Sequence, residues 1–207
     1  MKIFRAFDIR GDYPSQINPE IGYKIAQSYV KFLKPKKIAV GYDARDSSPE
    51  LFKAVVKSLR SQSVDVVSIG LVTTPEFYYA LKAHKKYDGG IMITSSHSPL
   101  NTNGLKLCSK DAESIHIENG LKTIEHYFNT EEFKIKENGK FKKHNVFKEY
   151  KKFILSKANK SKLKIGMDAG NLCGSLDYKI LKKTCKLKGI NINIRKPKPY
   201  FIPNPLI

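Results

Sequence analysis

Long apolar runs are missing from this sequence. The densest, "IAV" at 38–40 and "IMI" at 91–93, fall far short of the roughly 20 residues that cross a bilayer. No secretory leader is read either, because charges interrupt "MKIFRAFDIRGDYP" where an apolar stretch would stand. A cytoplasmic location with no membrane partner is therefore expected. Cysteine is scarce: Cys108, Cys173 and Cys185 are odd in number, widely spaced and never arranged as CxxC, which argues against a disulfide framework and against a cysteine zinc site. Arginine is scarcer than the charge implies. The net charge is +19, yet arginine occurs only as Arg5, Arg10, Arg45, Arg60 and Arg195, and lysine carries the excess over many segments. No helix-turn-helix, zinc-finger or RNP-like pattern aims that charge, so nucleic acid is not the expected partner. The block from 139 to 164, "GKFKKHNVFKEYKKFILSKANKSKLK", reads as a helix with a solvated basic face, with polyanion binding as the alternative. Phosphorylated small molecules are anions too, so charge alone does not choose.

What is present is α/β patterning. At 207 residues and 41% hydrophobic, the chain is long enough to bury a substantial core. Three segments, "NPEIGYKIAQSYVKFL" from Asn18, "SPELFKAVVKSLR" from Ser48 and "TPEFYYALKAHKK" from Thr74, each pair an N-cap acceptor with proline at the first helical position and glutamate in the first turn. Between them lie β-type runs at 36–43, 64–70 and 89–95. Strands alternating with amphipathic helices predict βαβ units in a mostly parallel sheet covered on both faces. A short strand in "GLKLCS", a helix near 112–128, a loop or edge hairpin over 129–145 and a lysine-rich helix over about 146–158 are expected to follow. "KLKIGMDAGNLCGSLDYKILKKTCKLKGININI" then reads as strand, turn, helix and strand, with Gly170 and Gly174 serving the turn, before the proline-rich "KPKPYFIPNPLI".

The chemistry concentrates in "ITSSHSPLNTNGLK", residues 93–106. Parallel sheets place their reactive loops at the carboxyl ends of strands, and Ser95, Ser96 and His97 stand at such an end. Gly104 is read as permitting a tight reversal that returns Lys106 toward the serines. By residue type alone this is equally a polar turn, and either serine could be the reactive one.

Two further stretches narrow that reading: "FRAFDIRG" at 4–11, which contains Arg10, and "GYDARDSS" at 41–48. With the serine loop they resemble the α-D-phosphohexomutase superfamily, the phosphomannomutases and phosphoglucomutases, whose R-A-(aromatic)-D-I-R-G, G-x-D-x-R-x-S and T-A-S-H-N-P-x-x-x-N-G-x-K motifs occur in this order. "DAGNLCGS" at 168–175 is similar to the turn opening that family's second domain. Ser95 and Ser98 depart from the family's alanine and asparagine.

The resemblance implies a layered α/β/α domain with a mostly parallel mixed sheet over 1–144, followed by an incomplete second α/β domain over 145–207. It implies Ser96 as the phosphoryl carrier, with Arg10, His97 and Lys106 supplying charge or hydrogen bonds and Lys106 also a candidate proton carrier. Asp43 and Arg45 are expected to be an internal pair fixing the loop. The implied reaction interconverts sugar 1-phosphate and 6-phosphate through a bisphosphate, with hexose phosphates as substrates, a sugar 1,6-bisphosphate as activator and Mg²⁺ bridging the phosphoserine. The family's D-x-D-x-D-R metal run does not occur in this sequence. The chain is therefore expected to be an N-terminal part unable to turn over alone, its remaining domains either supplied by a separate chain or lost from this one. The alternatives are a catalytically dead remnant that binds phosphosugars and a basic polyanion binder.

Overall fold

A computed structural model describes residues 3–136, 139–190 and 192; Arg195 and the proline-rich ending lie outside the described residues. In chain order the strands are β1 (Ile9–Asp12), β2 (Lys37–Tyr42), β3 (Asp65–Leu71), β4 (Gly89–Ile93), β5 (Thr102–Cys108), β6 (Phe141–Lys143), β7 (Lys164–Asp168) and β8 (Lys186–Ile190). The helices are α1 (Pro19–Leu33), α2 (Ser48–Arg60), α3 (Thr74–Ala83), α4 (Lys122–Thr130), α5 (Phe147–Lys157) and α6 (Gly174–Leu181).

The main sheet has the order β1-β5-β4-β2-β3-β6, and β7 and β8 form a separate parallel pair. β4, β2, β3 and β6 run parallel, while β5 is antiparallel to β4 and β1 is antiparallel to β5. The strand period of two sorts the side chains into two layers. Ile38 and Val40 of β2 and Ile91 and Ile93 of β4 join Ile25, Leu51, Val55 and Ile124 on the face covered by α1, α2 and α4. Ala39 and Met92 point the other way, to Phe77 and Leu81 of α3. Each large aliphatic or aromatic side chain so buried contributes about 1.5–3 kcal/mol relative to exposure. The result is the expected α/β/α arrangement with a mostly parallel mixed sheet.

The helix starts follow local chemistry, with two adjustments. Asn18 accepts from the Ile21 amide at 2.9 Å and caps α1 as expected. The cap of α3 is Thr73, which accepts from the Glu76 amide, rather than its neighbour Thr74. Ser48 does not cap α2; its hydroxyl lies 2.5 Å from Asp43 Oδ1, so the carboxylate has taken the group the helix would use. The helix expected from 112 begins later, because Asp111 and Ala112 adopt left-handed φ of 61° and 65° and Glu113 is extended. A π-helical turn, Ile117–Leu121, capped by His116, whose amide donates to Asn119 Oδ1 at 2.6 Å, leads into α4 at Lys122. Among the described residues of the 129–145 segment there is no hairpin. The segment contributes β6 as a parallel edge strand on β3, anchored by Arg60 Nε on the Gly139 carbonyl and by the Lys140 amide on Asp65.

Gly104 lies inside β5, opposite Arg10, and not in the reversal, which falls at residues 99–102. A Cβ at Gly104 would stand 2.1 Å from the Ile9 carbonyl oxygen, so this glycine is what lets β1 lie against β5. Gly170 does need its freedom, with φ 56°, whereas Gly174 is the first residue of α6 and a Cβ there would meet only ordinary contacts. Gly104→Ala is expected to lower unfolding stability by about 1–3 kcal/mol in urea titration, while Gly166→Ala, where a Cβ meets nothing within 4 Å, stays close to the parent.

Candidate active site

The serine loop leaves β4 at its carboxyl end and returns as β5. Its shape is set by Arg45, which is only 4% exposed. The guanidinium Nη1 donates to the carbonyls of Pro99 (2.6 Å) and Thr102 (3.1 Å), and Nη2 donates to those of Ser96 (3.0 Å) and Ser98 (2.7 Å). Its Nε is oriented by Asp43 at 3.2 Å. Burial pulls the Arg45 pKa down and the Asp43 carboxylate opposes that. A five-donor planar fork is the side chain suited to this many carbonyls at once. Asp43 and Arg45 thus act as the expected internal pair. Asn103, buried in β5, closes the far side by donating to Ser47 Oγ (2.7 Å) and Ser48 Oγ (3.0 Å).

Within that frame the two serines part company. Ser95 is fully buried, its hydroxyl 2.9 Å from Thr102 Oγ1. Ser96 is exposed and holds a left-handed φ of 55°. That conformation is uncommon for a residue with a Cβ and costs on the order of 1–3 kcal/mol, so the surrounding bonds must impose it. One of them is the Ser96 amide on Thr94 Oγ1 at 2.9 Å. Ser96 Oγ lies 3.4 Å from His97 Nδ1. Of the two adjacent serines, Ser96 is the one at the exposed surface.

The cations meet on a residue that the sequence reading left without a role. Asp8, buried within "FRAFDIRG", has one oxygen, Oδ2, 2.5 Å from Arg10 Nη2 and 3.0 Å from Lys106 Nζ. Arg10 Nη1 continues to Ser98 Oγ at 2.8 Å and so reaches the loop, while its Nε is buried without a hydrogen-bond partner. Lys106 reaches Asp8 and makes no hydrogen bond to Ser96. Burial pushes Asp8 up, but the hydrogen bonds and charges of Arg10 and Lys106 outweigh it and hold the carboxyl below its ordinary value.

A cleft of about 360 Å³ opens on Ser96 and His97, with Arg45, Thr74 and Thr94 on one side and Cys173 on the other. Burial pushes the Cys173 thiol up to about 12, so it stays protonated and is not a nucleophile at neutral pH. Its place here was not read from the sequence, since nothing in "DAGNLCGS" announces which loop it will face. Asp43, the one carboxylate among the residues lining the cleft, is paired with Arg45 and Ser48, and the neighbouring Asp8 with Arg10 and Lys106. The described residues lining the cleft thus do not form the free carboxylate set that Mg²⁺ needs.

The profile described as "Phosphoglucomutase/phosphomannomutase, alpha/beta/alpha domain I" matches residues 1–135. The chain belongs to the phosphoglucomutase/phosphomannomutase family. It is 34% identical to a phosphomannomutase of Escherichia coli over 99% of its own length and 48% of that protein's. It is 39% identical to a phosphomannomutase of Klebsiella pneumoniae over 71% of its own length and 95% of that protein's. The crystal structure of a family member from Burkholderia thailandensis superposes with a TM-score of 0.88 at 28% identity, covering 99% of this chain and 47% of that one. The chain therefore spans about half the length of the Escherichia coli relative and of the Burkholderia structure.

Because the folded pKa of Asp8 is depressed, its stabilisation is fully present above the ordinary carboxylate value of about 3.9 and is lost as pH falls through the lower folded value. Asp8→Asn is expected to cost on the order of 1–3 kcal/mol at neutral pH. It should also flatten the stability loss below about pH 4, as read by urea unfolding at stepped pH.

Proposed function

We propose that this chain is the phosphoserine-bearing part of a phosphohexomutase, with Ser96 as the residue that carries the phosphoryl group. One observation carries the reading: Ser96 is the exposed serine, held in an uncommon left-handed conformation at the carboxyl end of β4 by a loop that a buried arginine clamps. A phosphoserine has nearly two negative charges, and phosphoryl transfer is governed mainly by positioning and charge neutralisation. Arg10 supports that role with an unpartnered buried Nε and with Nη1 already at the loop.

In the proposed half-reaction, a hydroxyl oxygen of a hexose monophosphate attacks the phosphorus on Ser96. The bond between phosphorus and Ser96 Oγ breaks, a new phosphorus–oxygen bond forms on the sugar, the sugar hydroxyl gives its proton to a base, and Ser96 Oγ takes up a proton as it leaves. His97, beside Ser96 Oγ, and Lys106, paired with Asp8, are the proposed proton carriers. The resulting bisphosphate reorients and returns its other phosphoryl group to Ser96. Hexose phosphates are the proposed substrates and a hexose 1,6-bisphosphate the phosphorylating agent. The carboxylate-rich metal site and the clamp for the non-reacting phosphate are assigned to groups outside the described residues. On this reading residues 1–144 form the serine-loop domain and 145–207 belong to a second unit, whose Cys173 edge faces Ser96 across the cleft.

Incubation with glucose 1,6-bisphosphate, followed by intact-mass measurement and peptide mapping, is expected to add one phosphoryl group at Ser96. Ser96→Ala should lose it while Ser95→Ala keeps it. Phosphorylation that survives Ser96→Ala would refute the assignment, and binding of hexose phosphate without any phosphorylation would favour a binding module.

A further inference from the structure

Away from Ser96, three side chains converge that neither the fold nor the proposed chemistry uses. His84 is the residue following α3, His144 follows β6, and Glu149 sits in the first turn of α5. Their ligand atoms all lie within 4.8 Å of one another, the one such His/Cys/Asp/Glu group among the described residues. His84 Nε2 is 2.9 Å from Glu149 Oε2, and His144 Nε2 is 3.0 Å from Glu149 Oε1. We propose that His84, His144 and Glu149 form a binding site for a divalent transition metal of the zinc class, one that clamps α5 onto the main domain.

Three observations support it. Two imidazoles and one carboxylate are the donor set of an open tetrahedral zinc site, in which neighbouring ligand atoms stand roughly 3.3 Å apart; the observed separations need only small side-chain adjustments to reach that. His84 Nε2 is buried and its one polar contact among the described residues is Glu149 Oε2 at 2.9 Å, so a metal taken up there would displace no other partner of that nitrogen. His144 Nδ1 lies 3.0 Å from Tyr87 Oη, which fixes the ring with Nε2 turned into the cluster. With a metal on Nε2, Nδ1 keeps its proton and donates to Tyr87, the outer contact that metal-binding histidines ordinarily make. The fourth position is left to water.

The consequence is mechanical. The backbone at His144 is tied to β3 by its amide on the Ser68 carbonyl, and His84 is tied to α3 by its amide on the Ala80 carbonyl. α5 itself packs on α3 through the rings of Tyr79, Tyr150 and Phe153. A metal bridging the three elements would stiffen the join between the main sheet and the segment leading to β7.

The test uses the untagged 207-residue chain after EDTA treatment, titrated with Zn²⁺ against a chromophoric chelator and with Co²⁺ by visible absorption. One metal per chain, a tetrahedral Co²⁺ band and a rise of several degrees in the unfolding midpoint are expected. His144→Gln and the exposed-site variant Glu149→Gln should each weaken binding at least tenfold. The Cys173→Ser/Cys185→Ser double variant should bind as the parent does. Circular dichroism checks that each variant is folded, and Glu149→Gln, at a side chain 44% exposed, serves if His144→Gln is not. Absence of saturable binding, or binding unchanged by Glu149→Gln, overturns the proposal.

Discussion

The serine loop depends on one buried guanidinium. Arg45 donates to four carbonyls between Ser96 and Thr102, and Asp43 sets the orientation of the group that does so. Without those donors the carbonyls of a sharply folded loop would have to find water or each other, at about 1–3 kcal/mol for each one left unsatisfied. The charge cannot simply be swapped, because breaking a buried pair by removing one partner costs about 3–5 kcal/mol. What this achieves is local: one serine turned inward, its neighbour held outward at a φ it would not choose. Lysine could keep the charge of Arg45 but not a planar fork that serves four acceptors.

A second layer of the same logic operates between β1 and β5. Their close approach, permitted by Gly104, brings Arg10 of β1 and Asp8 just before it to Lys106 on β5. Asp8 is needed because two cations this near would otherwise repel; with its carboxylate between them they stand together beside the loop. The site is therefore a balance in which charge is stored by internal pairing, and Arg10 Nε is a buried donor left over. Its wider surroundings come from a different part of the chain, the turn before α6, which supplies Cys173 to the cleft.

Much of this was legible before the fold was known. Asn18, Pro19 and Glu20 mark the start of α1 without ambiguity, and the alternation of strand and helix signals gives the layered sheet. The serine loop and its companions "FRAFDIRG" and "GYDARDSS" lead to the family, and the reading of Asp43 and Arg45 as an internal pair agrees with their contacts. What escaped was long-range. Ser48 looks like a cap until Asp43 takes its hydroxyl, and two adjacent threonines leave the cap of α3 one residue uncertain. Gly104 resembles a turn glycine because sequence shows its lack of a side chain but not the Ile9 carbonyl pressed against it. Asp8 lies inside the quoted motif, yet its role depends on Lys106, 98 residues away. Period and capping are local signals, whereas antiparallel entry of β1 and β5 into the sheet is decided by packing.

The most direct test of the clamp is amide hydrogen exchange across residues 94–102 in the parent and in Arg45→Lys. The Ser96 amide, bonded to Thr94 Oγ1, and the Ser98 amide, bonded to the Ser95 carbonyl, report the loop's shape. The account predicts that both lose at least about tenfold protection while β2 and β4 keep theirs. Equal protection of the two amides in parent and variant would contradict it.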